Sequence, residues 1–150
     1  MIVAGGGGLD TFRADNAPWA VGIGHYREEM SGPGPSEPLP AAPEVEPAEA
    51  AAVVDGGAHL LDVREDDEWR AGHAPAAAHL PMGELSARIA EVPRDRTVVC
   101  VCRVGGRSGA VAAALAGEGY DARNMSGGML AWESAGLPVV TDDGQPGRTV

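Results

Sequence analysis

Thr97-Val98-Val99-Cys100-Val101-Cys102-Arg103-Val104-Gly105-Gly106-Arg107-Ser108-Gly109-Ala110-Val111-Ala112-Ala113-Ala114-Leu115-Ala116-Gly117 changes character twice, from apolar to glycine- and arginine-rich to alanine-rich. Its first five residues are β-branched or apolar without alternation, as in a strand buried on both faces of a parallel sheet. The last nine are small, good helix formers closed by glycine. Cys102 to Ser108 therefore reads as a strand-to-helix loop. In an open α/β sheet, ligands collect at such loops, outside the carboxyl ends of the strands and in front of helix N-termini. Gly105 and Gly106 let successive N–H groups converge into an anion-binding nest. The loop opens on a cysteine, and the amides, the helix dipole and the guanidinium groups of Arg103 and Arg107 all favour its thiolate. Such surroundings lower a free thiol's pKa of about 8.5 by roughly a unit or more, giving a nucleophile at neutral pH. A cysteine that only filled the core would need neither the two arginines nor the glycine pair.

A chain of 150 residues is long enough for one domain with a sizeable core and too short for two. The net charge of −11 argues against nucleic acid and anionic membrane surfaces as partners. All 11 basic residues are arginine, and two of them sit in the loop. Cys100 and Cys102 are too close along one strand to close an unstrained disulfide, so a reducing compartment is the simpler expectation. Cys100 lies within the apolar run and reads as a small buried hydrophobe rather than a resolving thiol. No apolar run approaches membrane-helix length, and Met1 to Gly6 lacks the basic and apolar regions of a signal peptide. The expectation is a soluble cytoplasmic protein.

Residues 1–43 read as a disordered extension. Gly5 to Gly8 is a glycine run, and Gly32 to Pro40 is rich in proline and glycine, so neither can bury a core. Trp19 to Tyr26 is the one apolar segment there; a solvated extension, or a start codon assigned too early with Met30 as the true first residue, is preferred to a docking peptide. The folded domain is expected over 44–140, with a flexible tail over 141–150.

Within the domain, Glu44 to Val54 predicts an entry turn and helix with Pro47 in its first turn. His59 to Arg64 predicts a buried strand ending beside the Cys102 loop. Glu65 to His73 predicts a short helix whose acids crowd its first turn, where the dipole favours them, with Trp69 facing the core. The four acids read as helix-start charge rather than a metal site, because hard-metal ligands must converge. Ala74 to Pro81 predicts a loop and brief strand, and Met82 to Ile89 a short helix. His73 and His79 read as loop histidines that tie down backbone carbonyls rather than as bases. Tyr120 to Met125 predicts an edge strand, and Ser126 to Gly136 a last helix before the exit segment Leu137 to Val140. Alternating strands and helices imply an α/β fold with a mostly parallel central sheet and helices on both faces.

Taken together, four segments resemble the rhodanese-like, thiosulfate sulfurtransferase family: Leu60-Leu61-Asp62-Val63-Arg64 with Glu65 and Glu68-Trp69; Gly72-His73 with Pro75 to Pro81; Cys102 to Ser108; and Ser126 to Trp132. They fall in the family's order between about residues 45 and 140. The resemblance implies a rhodanese-like three-layer sandwich and a sulfurtransferase in which a Cys102 thiolate takes the sulfane sulfur of a donor such as thiosulfate. Cyanide or a thiol then removes that sulfur from the persulfide. It implies a substrate cradle of Arg103, Val104, Gly105, Gly106, Arg107 and Ser108, and structural support from Asp62, Arg64 and His73, with Arg64 pairing an acid such as Glu68. No metal, nucleotide or organic cofactor is implied; the partners are a small sulfur-containing anion, a thiol acceptor and, in one version, a sulfur-relay protein. A related cysteine phosphatase or arsenate reductase would have five residues between cysteine and arginine, whereas Cys102 and Arg107 enclose four. A persulfide carrier or regulatory module loaded by a partner would use the same residues, and turnover with small acceptors separates it from the enzyme.

Overall fold

The computed structural model describes residues 39–150; most of the predicted extension, including Trp19 to Tyr26, lies outside them. Among the described residues, five parallel strands form one sheet: β1 (Glu44–Val45), β2 (His59–Asp62), β3 (Ala77–His79), β4 (Val98–Val101) and β5 (Ala122–Met125). Their order is β1-β5-β4-β2-β3. The unbroken apolar run places β4 at the centre, with all four residues buried. Asp62 of β2 pairs with Val101, so β2 ends beside the Cys102 loop as expected.

Five helices accompany the sheet: α1 (Pro47–Asp55), α2 (Asp66–Ala71), α3 (Leu85–Arg88), α4 (Gly106–Gly117) and α5 (Gly128–Ser134), with short 3₁₀ turns on either side of α3. Alternation along β4 divides the core into two. Val98, Cys100 and then Cys102 pack with Leu85 of α3 and with Val111, Ala114 and Leu115 of α4. Val99 and Val101 pack on the other face with Ala50 of α1 and with Met129 and Trp132 of α5. The result is an α/β three-layer sandwich.

Three expectations are corrected, on β5, on the start of the helix after the loop and on Trp69. β5 is an inner strand, because β1, expected within a turn, pairs with it at Glu44↔Asn124 and takes the edge. The helix after the loop begins at Gly106, so Gly106, Arg107 and Ser108 form its first turn. Trp69 is half-buried and stacks on the imidazoles of His73 (3.5 Å between ring centroids) and His79 (4.6 Å) instead of entering the core. The segment from Thr141 onward folds back across the domain: Arg148 N–H donates to the Ala71 carbonyl, Gly147 N–H to Val139, and Thr149 N–H to Glu133. Gly72 is where that crossing is closest, since a Cβ there would meet the Arg148 amide nitrogen at 2.5 Å.

Candidate functional site

Cys102 follows the last residue of β4 and is itself only 1 % exposed. Gly105, at φ +111°, turns the chain in the left-handed region so that its own N–H points back at the sulfur, 3.1 Å from Sγ. One helical turn on, the Ser108 amide (3.4 Å) and hydroxyl (3.3 Å) reach the same atom. Burial pushes the Cys102 thiol up, and the Ser108 hydroxyl with the amides of Ser108, Gly105 and Val104 brings it back below the ordinary thiol value. The predicted nest is present, and hydrogen bonds rather than guanidinium groups lead the acidification.

The two loop arginines have partners of their own. Arg107 makes a two-pronged ion pair with Glu68, at 2.9 Å for each of its Nη atoms. That bond is the chief reason the Glu68 carboxyl lies at about 2. The same bond raises Arg107, and the nearby Cys102 charge adds to it. Arg103 is exposed at the mouth of the loop, its Nε donating to the Val150 carbonyl at 3.0 Å. Val104 is 55 % exposed on the outer side of the loop. The expected Arg64–Glu68 pair does not form. Arg64 instead pairs with Asp62, Nε to Oδ1 at 2.9 Å and Nη2 to Oδ2 at 2.8 Å, both side chains fully buried. Its Nη2 also donates to the Gly72 carbonyl, tying β2 to the end of α2.

α2 carries Glu68 into place through a reciprocal cap, in which the Glu65 N–H donates to Glu68 Oε1 and the Glu65 side chain accepts from the Glu68 amide. The acidic run thus starts a helix and supplies one partner to the loop. Both histidines hold backbone: His73 Nδ1 faces the Ala74 carbonyl at 3.1 Å and its Nε2 faces Asp142, while His79 Nε2 contacts the Arg64 carbonyl at 2.8 Å. Cys100, two residues before Cys102 and on the same face, is fully buried, and burial pushes it up to about 12. It packs as a small hydrophobe.

Two residues that the sequence reading left aside adjoin the sulfur's surroundings. Asn124 Oδ1 accepts from the Ser108 hydroxyl at 2.7 Å, and Asn124 Nδ2 donates to Glu44 Oε2 at 3.0 Å. A lone amide among the buried residues of β5 was the available signal, since buried polar groups require partners. The opposite wall comes from α5. Gly128, at φ +62°, sits so close that a Cβ would run into the backbone of Cys102 and Arg103, and the Met129 and Leu130 amides donate to those two carbonyls at 2.8 and 3.1 Å. No helix among the described residues is long and apolar enough to cross a membrane.

Comparison with known proteins agrees with this architecture. The family model of the Rhodanese-like domain matches residues 46–135. A sulfurtransferase from Allochromatium vinosum is 42 % identical over 86 residues, covering 57 % of this chain and 80 % of that protein. The thiosulfate sulfurtransferase GlpE of Pseudomonas savastanoi is 33 % identical over 91 residues, covering 60 % and 86 %. Among solved structures, a rhodanese-related protein from Thermoplasma volcanium superposes with a TM-score of 0.63 at 27 % identity, covering 67 % of this chain and 99 % of that one. A sequence match over more than half the chain, joined to a shared fold, makes this protein a member of the Rhodanese-like domain family.

Proposed function

We propose that this protein is a sulfurtransferase that carries sulfane sulfur through a persulfide on Cys102, with thiosulfate as a donor and cyanide or a thiol as acceptor. The observation that carries the reading is the convergence of two amides and a hydroxyl on Cys102 Sγ, within a loop whose thiol lies below its ordinary value. The Cys102 thiolate attacks the outer sulfur of thiosulfate. A new S–S bond forms, the old one breaks, and sulfite leaves with the bonding pair. The acceptor then attacks the outer persulfide sulfur and the Cys102 thiolate departs. The amides of Val104, Gly105 and Ser108 stabilise the anionic sulfur in both states, as preorganised donors do wherever charge collects.

Arg103 meets the donor's sulfonate end, being exposed and held by a single backbone contact. Arg107, already committed to Glu68, adds field rather than a free fork of donors. Asp62, Arg64 and His73 hold the platform beneath. The four residues between Cys102 and Arg107 frame a space suited to one added sulfur rather than to a tetrahedral oxyanion. The thiosulfate assignment draws on the likeness to the Pseudomonas savastanoi protein.

Intact-mass measurement of the reduced protein after thiosulfate, beside Cys102→Ser, tests the reading. A gain of one sulfur that requires Cys102 and is discharged by cyanide as thiocyanate is the expected result. No gain with thiosulfate refutes that donor, and loading only by a protein persulfide would make the chain a carrier.

A further inference from the structure

A serine hydroxyl has one hydrogen, and Ser108 Oγ has three acceptors within reach: Asn124 Oδ1 at 2.7 Å, Cys102 Sγ at 3.3 Å and the Gly105 carbonyl at 3.5 Å. The shortest contact is not the sulfur. The Asn124 amide is fixed from its other end, where Nδ2 donates to Glu44 Oε2 at 3.0 Å and to the Gly105 carbonyl at 3.2 Å. Both of those partners only accept, so a flipped amide would set Oδ1 against a carboxylate and a carbonyl. Glu44 is held in turn, its Oε1 accepting from Ser126 Oγ at 2.9 Å and its strand in register with Asn124. Ser108 is fully buried and Asn124 is 4 % exposed, so water does not replace these partners cheaply.

From this geometry we propose that Glu44 and Asn124 are positioning residues that set the direction of the Ser108 hydroxyl, keeping its hydrogen on Asn124 while Cys102 is a thiol and releasing it to Sγ when the sulfur is charged. The inference rests on Cys102 as the reacting thiol. In the neutral state every hydrogen has an acceptor: Cys102 S–H to Ser108 Oγ, Ser108 O–H to Asn124 Oδ1, Asn124 N–H to Glu44. Ionisation removes the first hydrogen. The Ser108 hydrogen then turns to the anionic sulfur, because a charge-assisted hydrogen bond outweighs a neutral one, and the Asn124 contact is given up. The chain therefore makes ionisation less favourable than the loop alone would, and restrains the unloaded cysteine.

The other groups facing Cys102 are Arg103 in the loop, Arg107 on α4 with Glu68 of α2 and the nearby Glu65 behind it, and Cys100 on β4. Asn124 and, behind it, Glu44 reach the sulfur through the Ser108 hydroxyl and not directly, which gives the test its specificity.

The measurement is the pH midpoint of iodoacetamide alkylation at Cys102, read by mass on the full chain. Asn124→Leu should lower the midpoint by about one pH unit, roughly tenfold more thiolate below the midpoint. Glu44→Gln, at an exposed position, replaces the charge-assisted contact to Asn124 Nδ2 by a neutral one, loosens one of the two bonds that hold the amide, and should move it the same way by less. Asn124→Asp keeps an acceptor against Ser108 and should stay at or above the wild-type midpoint. Ser108→Ala should raise it, and adding Asn124→Leu to Ser108→Ala should not bring it down again. An unchanged or raised midpoint in folded Asn124→Leu or Glu44→Gln overturns the proposal, as does an Asn124→Leu effect that survives without Ser108. If Asn124→Leu does not fold, Glu44→Gln decides alone. No sulfur donor enters the measurement, so failure of thiosulfate to load Cys102 refutes the donor and leaves this result standing.

Discussion

Replacing Glu68 by glutamine keeps the size of the side chain and removes the charge that holds Arg107. The Glu68 carboxyl lies at about 2 instead of 4.5, chiefly because of the hydrogen bond from Arg107. At 1.36 kcal/mol for each unit that difference corresponds to about 3 kcal/mol. The pair is not deeply buried, with side-chain exposures of 16 % for Glu68 and 35 % for Arg107, and water screens it, so about 1–2 kcal/mol is the expected loss. The folded-state value lies below the unfolded one, so this stability is fully present above about pH 4.5 and is lost as pH falls toward 2. Urea unfolding of wild type and Glu68→Gln at neutral pH should therefore show a gap of about 1–2 kcal/mol, shrinking to under about half near pH 3. Arg107, no longer neutralised, should also move the Cys102 alkylation midpoint down. A gap below about 0.5 kcal/mol at neutral pH, or one that persists undiminished in acid, would refute the assignment of Glu68 as the partner that fixes the loop arginine.

Asp62→Asn leaves the buried Arg64 guanidinium without its carboxylate and should cost about 3–5 kcal/mol in urea unfolding, whereas an effect under about 1 would show the pair to be dispensable. Gly128→Ala must push the Cys102 and Arg103 backbone away or abandon φ +62°; a stability loss of at least about 2 kcal/mol and loss of sulfur loading are expected, and near-wild-type behaviour in both would contradict the packing. Native protein at neutral pH should take one maleimide, on Cys102, with Cys100 reacting only after denaturation; equal labelling of the two thiols would mean that Cys100 is not sealed in the core.

What the sequence made legible was local. An apolar run, a cysteine, a glycine pair and an alanine-rich helix occur in unbroken order, and their readings as strand, turn and helix follow from periodicity and backbone freedom alone. β1 escaped because a two-residue strand has no period to detect; only its pairing with β5 defines it. The Arg64 partner was open to better reasoning, since residues two apart on an extended segment share a face, and Asp62 stands two before Arg64. Glu68, by contrast, could be matched to Arg107 only with the sheet assembled, because 39 residues separate them.

The same division explains why, of the groups expected to acidify the thiol, the amides lead and the guanidinium groups do not. Arginines beside a cysteine in sequence look like its counter-ions, but a long side chain at a loop goes wherever a carboxylate or carbonyl waits, and here those are Glu68 and Val150. Backbone amides have no such freedom. Once Gly105 adopts φ +111° and α4 begins at Gly106, the directions of the Gly105 and Ser108 N–H groups are fixed, and the sulfur lies on both. The lowered thiol of Cys102 is therefore a property of the Ser108 hydroxyl and of the turn that aims it and the amides at the sulfur, and substitutions that shorten or stiffen that turn at Gly105 should damage the site more than loss of the exposed Arg103.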